Sequence, residues 1–417
     1  MTSQALDRGQ SRPSVLLLTQ YFHPEIPATA QLMTDLAVSL AERGRKVEVF
    51  TGQPSYVKRE RLAPREQYKG VLIRRLYNPG KDRRSTRGRL TNAAFVSAIA
   101  FLRLAVRPRS KVLVVDTTSP FLPITAWLLR VLRRQRYVMV VEDVYPDIAV
   151  CLGHLKPKGI VTRAWHRLNR ITYGGAELVV ALGPRMRERV LPKLPHKADP
   201  ARVRVIHNWA DGDLIHPRPK EENWFCRDHG LVGKTVVLYS GNMGLGHDLE
   251  TVVEVARLLR EHHDIKFVFI GDGGKRPLVE ELVKKHALGN VLLLPYQPAE
   301  ALPFSLSAGD IAIVALEPGI EGLSVPSKLY AYLAAGQAIA ALVQEGSEVA
   351  DIVAQEECGF RVSQGDVEGL LKQITRLCER PELLRRMRER SRACFEANFT
   401  RAKAIAAYEG VLAEAAA

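Results

Sequence analysis

Runs of aliphatic residues alternate with helical patterns along the first half of this chain of 417 residues. Residues 15–19 are continuously apolar or small, which is typical of a strand buried on both faces of a parallel sheet. Leu32, Leu36 and Leu40 then repeat at helical spacing. Further strands are predicted at 47–51, 71–76, 112–116, 137–142, 178–182 and 203–206.

The alternation stops at residues 208–219, a polar stretch with two prolines, and then starts again. The second half contains predicted strands at 236–239, 267–270, 291–294, 311–314 and 338–342 and predicted helices at about 249–260, 275–286, 328–335 and 367–378. Repeated strand–helix units indicate doubly wound parallel sheets.

We therefore predict two Rossmann-like α/β domains that face each other across a cleft, with ligands bound at the carboxyl ends of the strands. The predicted divisions are a flexible N-terminus at 1–12, a first domain at 13–207, a linker at 208–219, a second domain at 220–390, and a helical tail at 391–417 that packs back toward the first domain.

The positive charge is confined to the first half of the chain. Residues 1–207 carry 37 Lys and Arg against 15 Asp and Glu, a net charge of +22, whereas residues 208–417 carry 23 against 30, a net charge of −7. A field of this sign attracts nucleic acid, anionic lipid or phosphorylated substrates to the first domain. The basic runs lack interleaved aromatic residues and match no nucleic-acid-binding module, so nucleic acid ranks last.

The five cysteines are scattered and have no metal-ligand spacing, which favours free thiols in a reducing cytoplasm. Residues 1–12 lack the apolar core of a signal peptide. The most apolar stretches, 90–106 and 120–132, contain Arg103 and Arg130 and are shorter than the roughly 20 residues that span a bilayer.

Two glycine-rich turns in the second half follow predicted strands. Gly241 and Gly244 belong to the first, YSGNMGLGHD, where backbone amides and the start of the next helix can meet a phosphate. Gly271 opens the second, GDGGKR. Taken alone, either turn can equally be a tight loop without a ligand.

A longer loop, residues 317–330, contains the residues with the most specific chemistry. Glu321 can accept hydrogen bonds from sugar hydroxyls, and Gly322 keeps the backbone close to a ligand. Lys328 begins a predicted helix, where its charge opposes the helix dipole. A bound diphosphate explains a lysine at this position, although a solvated lysine would cost only a few tenths of a kcal/mol.

Polar clusters also follow three strands of the first domain: His23 and Glu25 after the first, Asp116 after 112–116, and Glu142 with Asp143 after 137–142. In a doubly wound sheet these positions face the ligand site. Turn formation or helix capping is the alternative for each of them.

Taken in order, the stretches QYFHPE, EDVYPD, HNWAD, YSGNMGLG, GDGGKR and EGLSVPSKLYAYLAAG resemble glycosyltransferase family 4, and within it the bacterial WbuB-like, colanic-acid-type branch. The resemblance covers nearly the whole chain. It implies a GT-B fold and a metal-independent, retaining transfer from a nucleotide sugar, UDP-linked and N-acetylated. The donor would bind the second domain and the acceptor the first, with no cofactor.

The resemblance also assigns roles to single residues. Glu321 matches the family glutamate that contacts donor-sugar hydroxyls, and Tyr296 lies near the position of the base. Asp143 aligns with a position that often holds a cleft histidine in relatives. Lys328 becomes the main diphosphate cation and, with Asp143 and Glu321, a catalytic residue. The remaining donor-binding candidates are Gly241, Asn242, Gly244, His247, Gly271, Gly322, Leu323, Ser324 and Ser327.

Three positions depart from the family pattern. Ala331 replaces the second glutamate of the paired-glutamate motif, Asn242 and His247 replace an arginine and a lysine of the phosphate loop, and the N-terminal Gly-Gly turn is replaced near residues 27–28. The branch shares these losses, which indicates a variant site. They also leave open a weakened enzyme or a non-catalytic scaffold subunit, and an epimerase on the same fold is a further alternative.

Basic residues flank two apolar helical stretches of the first domain, KDRRSTRGR before 90–106 and RVLRRQR after 120–129. Such clusters suit an anionic membrane surface, at about 1 kcal/mol per basic residue. We therefore expect a peripheral enzyme on the inner face of the membrane with a lipid-diphosphate-linked acceptor. The alternative is that both helices pack in the core with solvated arginines at their ends.

Overall fold

The structure is a computed structural model that describes residues 14–54, 61–81 and 86–417. The predicted N-terminal segment 1–12 and positions 82–85 of the first basic run lie outside the described residues. Contacts divide the chain into two compact units. The first contains the described residues up to Ile206 together with Ile405–Ala417, and the second is His207–Ala404.

The first unit is an eight-stranded sheet in the order β3-β4-β2-β1-β5-β6-β7-β8. Its strands are β1 Val15–Leu18, β2 Val47–Gly52, β3 Arg65–Tyr68, β4 Val71–Leu76, β5 Val112–Asp116, β6 Tyr137–Val141, β7 Leu178–Ala181 and β8 Val203–Val205. Its helices are α1 Ala28–Glu42, α2 Thr86–Ala105, α3 Leu122–Arg133, α4 Asp147–Cys151, α5 Ile160–Gly175 and α6 Pro184–Val190.

Seven of these strands were predicted, and the clearest of them, such as β1 and β6, are mainly aliphatic and buried on both faces. The predicted helix between the first two strands is α1, and Leu36 and Leu40 lie on its fully buried face. β3 was not predicted. It has the polar sequence REQY, is partly exposed and pairs antiparallel with β4 at the edge of the sheet, where one face needs no apolar side chains.

The second unit is a parallel sheet in the order β11-β10-β9-β12-β13-β14. Its strands are β9 Thr235–Ser240, β10 Ile265–Ile270, β11 Val291–Leu294, β12 Ile311–Ala315, β13 Ala338–Leu342 and β14 Gly359–Val362. Its helices are α7 Trp224–Asp228, α8 Glu250–Leu258, α9 Arg276–Lys285, α10 Leu302–Ser307, α11 Lys328–Ala334, α12 Glu348–Glu356, α13 Val367–Glu379 and α14 Pro381–Asn398.

The last helix, α15 Arg401–Ala416, ends in the first unit. Tyr408 on this helix is buried, Glu409 forms an ion pair with Arg43, and Glu414 forms one with Arg204. These contacts attach the end of the chain to the first unit.

The order of the strands determines which turns meet. In the first unit β5 and β6 are neighbours, so Asp116 lies beside the residues that follow β6. In the second unit β9 lies between β10 and β12, so the turns after all three strands meet at one edge. Among the described residues, no helix combines the length and the apolar character needed to cross a membrane.

Candidate active site

The amine of Lys328, at the start of α11, is the most unusual group in the second unit. Its Nζ atom is buried and has no hydrogen-bond partner in the part of the chain that the structure describes, although the residue as a whole is only half-buried. Nζ lies 3.7 Å from the ring centroid of Tyr239. Burial lowers the pKa of Lys328 to about 7. A buried amine without a counter-ion is costly alone and well suited to an anionic ligand.

Space beside this amine is left by Gly241. A Cβ atom at this position would lie 3.8 Å from Nζ of Lys328, and the backbone has a φ of +126°, which disfavours any residue with a side chain. The backbone amides of Asn242 and Gly244 donate to no described group. These amides and Lys328 are therefore donors that the turn can offer to a phosphate.

Other amides of the turn are occupied, which corrects part of the prediction. The amides of Gly241 and Met243 donate to the carbonyls of Ile270 and Asp272, each at 2.8 Å. The expectation of free N–H groups at the start of α8 is wrong for Thr251, whose amide donates to the Asp248 carboxylate at 3.2 Å. The carboxylate already occupies this amide, so it is not available to a phosphate.

His247 does not supply the missing cation of the phosphate loop. Its Nδ1 lies 2.6 Å from the hydroxyl of Tyr239, and that hydroxyl donates to the carbonyl of Asn242, also at 2.6 Å. Burial, and then the charge of Lys328, lowers the pKa of His247 to about 3. The imidazole is therefore neutral, and Lys328 is the group beside it that can carry a positive charge.

Two tyrosines hold this arrangement, and the sequence did not identify their roles. Tyr239 lies under the amine of Lys328. Tyr332 lies four residues after Lys328, on the same face of α11, and its hydroxyl bonds the backbone amide of Ser240 at 2.7 Å. The spacing of Lys328 and Tyr332 was the available signal, because it places both side chains against the turn after β9.

The turn after β10 has mainly a packing role. A Cβ atom at Gly271 would overlap the carbonyl oxygen of Gly241, so glycine is required where the two turns touch. Lys275 forms ion pairs of 2.8 Å with both Glu250 and Glu317. Arg276 bonds the carbonyl of Gly271. Both basic side chains of this turn are thus held by protein groups.

The predicted base contact, Tyr296, is exposed at the same edge of the sheet. Its hydroxyl lies 3.4 Å from the carbonyl oxygen of Asp272, in the turn after β10. An exposed ring at this position can stack on a base.

The loop before α11 presents a second buried atom without a partner. Oε1 of Glu321 is buried and accepts no hydrogen bond from the described residues. Gly322 has a φ of +69°, Leu323 is buried, and the hydroxyls of Ser324 and Ser327 make no hydrogen bond among the described residues. The loop therefore offers one carboxylate and two hydroxyls for hydrogen bonds to a polyhydroxylated ligand.

In the first unit the structure brings Asp116, Glu142 and Asp143 together, and we call them the acidic cluster. Oδ2 of Asp116 and Oε1 of Glu142 are buried without a described partner. Burial, and then the charges of Asp116 and Asp143, raises the pKa of Glu142 to about 8. Burial also raises the pKa of Asp116. Glu142 therefore holds a proton at neutral pH.

The described contacts of His23, another acceptor-side candidate, lie outside this cluster. His23 stacks on Tyr68 with ring centroids 3.8 Å apart, and its charged neighbours are Glu66, Arg75 and Lys69. Burial lowers the pKa of His23. Glu25 is buried, and it has a partner of its own. No described interaction joins His23 to the acidic cluster. In the described ranges, no group of three His, Cys, Asp or Glu side chains is placed to hold a metal ion.

Replacing Glu142 with Gln is expected to stabilise the protein at high pH. The carboxyl has an ordinary pKa of 4.5 and a folded-state pKa of about 8. Its contribution to stability is therefore complete below pH 4.5 and is lost as the pH rises through 8. We expect the variant to gain about 3 kcal/mol of unfolding free energy at pH 8 and progressively less toward pH 5. Denaturant unfolding at several pH values measures this.

The matched control is Glu188→Gln, which changes an exposed carboxyl of the same unit. We expect no pH-dependent change in its unfolding free energy. Equal effects of the two substitutions would contradict the account of the acidic cluster.

Models of known protein families match both halves of the chain. Residues 29–209 match the family model of the glycosyl transferase 4-like domain, and residues 226–393 match that of glycosyl transferases group 1. The probable glycosyltransferase WbjE of Pseudomonas aeruginosa is 32% identical over 71% of this chain and 74% of its own length.

Two further proteins extend the comparison. The putative colanic acid biosynthesis glycosyl transferase WcaI of Escherichia coli is 26% identical over 76% of this chain and 79% of its own. The crystal structure of Anabaena Alr3699/HepE in complex with UDP-glucose has a TM-score of 0.71 at 13% identity, over 96% of this chain and 99% of that one, which shows the same fold. The chain therefore has the GT-B fold and belongs to glycosyltransferase family 4, in the bacterial branch that contains WbjE and WcaI.

Proposed function

We propose that this protein transfers a sugar from a UDP-linked, N-acetylated donor to a hydroxyl of a lipid-diphosphate-linked acceptor, with retention of anomeric configuration and without a metal ion. The product would belong to a bacterial surface polysaccharide or glycoconjugate. The observation that carries the proposal is the buried amine of Lys328, which has no partner among the described residues and lies beside the open turn at Gly241. WcaI is named for colanic acid biosynthesis and HepE was solved with UDP-glucose, which supports the same class of reaction and donor.

In this reaction the anomeric C–O bond of the donor breaks and negative charge develops on the departing diphosphate. Lys328 and the amides of Asn242 and Gly244 would stabilise that charge. The hydroxyls of the donor sugar would bond Glu321, which orients the anomeric carbon. The acceptor oxygen forms the new C–O bond, and its proton passes to the released diphosphate.

On the acceptor side, Asp143 would accept a hydrogen bond from the attacking hydroxyl and so position it. Glu142, protonated at neutral pH, would donate a hydrogen bond to a neighbouring acceptor oxygen instead of accepting one. This division of roles follows from the raised pKa of Glu142.

A panel of nucleotides and nucleotide sugars tests the proposal. We expect UDP and a UDP-N-acetylhexosamine to raise the melting temperature, and ADP and GDP to have little effect. The shift should persist in EDTA, because Lys328 would replace a metal ion at the diphosphate. If no nucleotide shifted the melting temperature, the result would favour a non-catalytic scaffold. Donor turnover without any acceptor would favour an epimerase.

A further inference from the structure

The segment that leaves α4 and forms α5 is strongly basic and exposed. Residues 152–175 contain no Asp or Glu and five basic residues, Lys156, Lys158, Arg163, Arg167 and Arg170. All five are exposed, and their side chains form no ion pair or hydrogen bond with the described residues. The charge of this segment is therefore not neutralised by the protein.

Apolar side chains are exposed in the same segment. Ile160 and Val161, the first two residues of α5, are 79% and 59% exposed, and Leu152 after α4 is 40% exposed. Ile160 and Val161 follow Lys158 closely along the chain. Exposed aliphatic side chains among unpaired basic ones match a surface that is both apolar and anionic.

The opposite face of α5 belongs to the acceptor side of the molecule. Trp165, Leu168 and Asn169 line a narrow pocket together with Asp143, and the ring of Trp165 stacks on Tyr145 with centroids 5.4 Å apart. One face of α5 thus lines the pocket at Asp143, while the other face presents the basic side chains.

A second exposed apolar surface lies at the other edge of the sheet. Val131 and Leu132, near the end of α3, are 57% and 62% exposed. Because α3 leads into the start of β6, these residues lie at the edge opposite the acidic cluster. The start of α5, by contrast, is at the edge where β6 ends.

Three arginines of the run RVLRRQR are held by the protein, whereas the sequence suggested that this run contacts a membrane. Arg130 forms an ion pair with Glu177, Arg133 bonds the carbonyl of Ala105, and Arg136 bonds that of Ala416. These three side chains are held by protein groups, whereas the basic side chains of the α4–α5 segment have no partner among the described residues.

We propose that residues 152–170 form a docking surface for an anionic lipid bilayer, with Ile160 and Val161 inserted among the headgroups. The five basic side chains bind the anionic headgroups, and the pocket at Asp143, on the opposite face of α5, lies about one helix diameter from the lipid surface. Only the purpose of this surface rests on the proposed function. That purpose is to present a lipid-linked acceptor hydroxyl to the acidic cluster.

Co-sedimentation of the full chain with vesicles tests this. We expect binding to phosphatidylcholine vesicles that contain one-third phosphatidylglycerol at low salt, weaker binding at high salt, and little binding to pure phosphatidylcholine. Ile160→Ser with Val161→Ser should lower the partition coefficient about tenfold or more. Lys156→Glu with Lys158→Glu should abolish the preference for phosphatidylglycerol.

The matched control is Val131→Ser with Leu132→Ser, an equally exposed apolar pair at the other edge, which should bind like the unchanged protein. Equal loss in the two double variants, or no binding of the unchanged protein at low salt, would overturn the proposal. RNA is the alternative anionic partner of this surface. If the unchanged protein bound RNA and the Lys156→Glu, Lys158→Glu variant lost that binding but kept vesicle binding, the proposal would also be overturned.

These outcomes are separable from the proposed function. The Ile160→Ser, Val161→Ser variant should keep its melting temperature and its stabilisation by UDP. If the unchanged protein bound vesicles but no nucleotide stabilised it, the proposed function would fail and the docking surface would stand.

Discussion

Replacing Lys328 with Met is expected to lower kcat/KM for sugar transfer by about 10²–10³-fold, the usual effect of removing one group that stabilises developing negative charge. The same substitution should stabilise the protein without ligand. The amine has an ordinary pKa of 10.5 and a folded-state pKa of about 7. The buried amine therefore costs no stability above pH 10.5, and its full cost is reached as the pH falls through 7. Methionine should gain about 2–3 kcal/mol of unfolding free energy at pH 7.

Steady-state kinetics and denaturant unfolding measure the two effects on the same preparations. Lys372→Met is the control, because Lys372 is an exposed lysine of the same unit and should change neither quantity. A Lys328→Met variant that was less stable than the unchanged protein and still active would show that the amine is a structural group with an unrecognised partner.

The second large effect is expected for Glu321→Gln. Oε1 of Glu321 is buried without a described partner, so its bonds are available to the donor sugar. The glutamine amide has the same shape but accepts hydrogen bonds at only one atom and carries no charge. We therefore expect kcat/KM to fall about 10²-fold. The melting temperature should change little, since no described protein group loses a hydrogen bond.

Glu317→Gln is the matched control in the same loop. Glu317 forms an ion pair with Lys275, so its substitution should weaken the loop rather than the reaction. We expect a lower melting temperature and a smaller loss of kcat/KM than for Glu321→Gln. The opposite order would remove Glu321 from the donor site.

The sequence predicted the sheets well because parallel strands buried on both faces need continuous aliphatic runs, as in β5 and β6. It missed β3, an edge strand with a polar sequence. It also missed β14, whose first residue is Gly359. Glycine is required there because a Cβ atom would overlap the carbonyl oxygen of Ile339. Glycine in a strand weakens the pattern that identifies it.

The site was predicted as a set of residues but not as an electrostatic arrangement. Position in the chain placed Lys328 at a helix start and Glu142 at a strand end. The lowered pKa of Lys328 and the neutral state of His247 depend on burial and on the ring of Tyr239, which only the packing shows. Likewise, the structural role of Arg130, Arg133 and Arg136 could be recognised only from their partners in space.

Proton uptake on UDP binding tests the central role of Lys328 most directly. At pH 8 the terminal phosphate of UDP is fully ionised, and an amine with a pKa of about 7 is mostly neutral. A diphosphate beside the amine would raise this pKa, so binding should take up close to one proton. Calorimetry in buffers of different ionisation enthalpy measures this number. We expect about 0.9 protons for the unchanged protein and none for Lys328→Met; UDP binding without proton uptake in the unchanged protein would contradict the account.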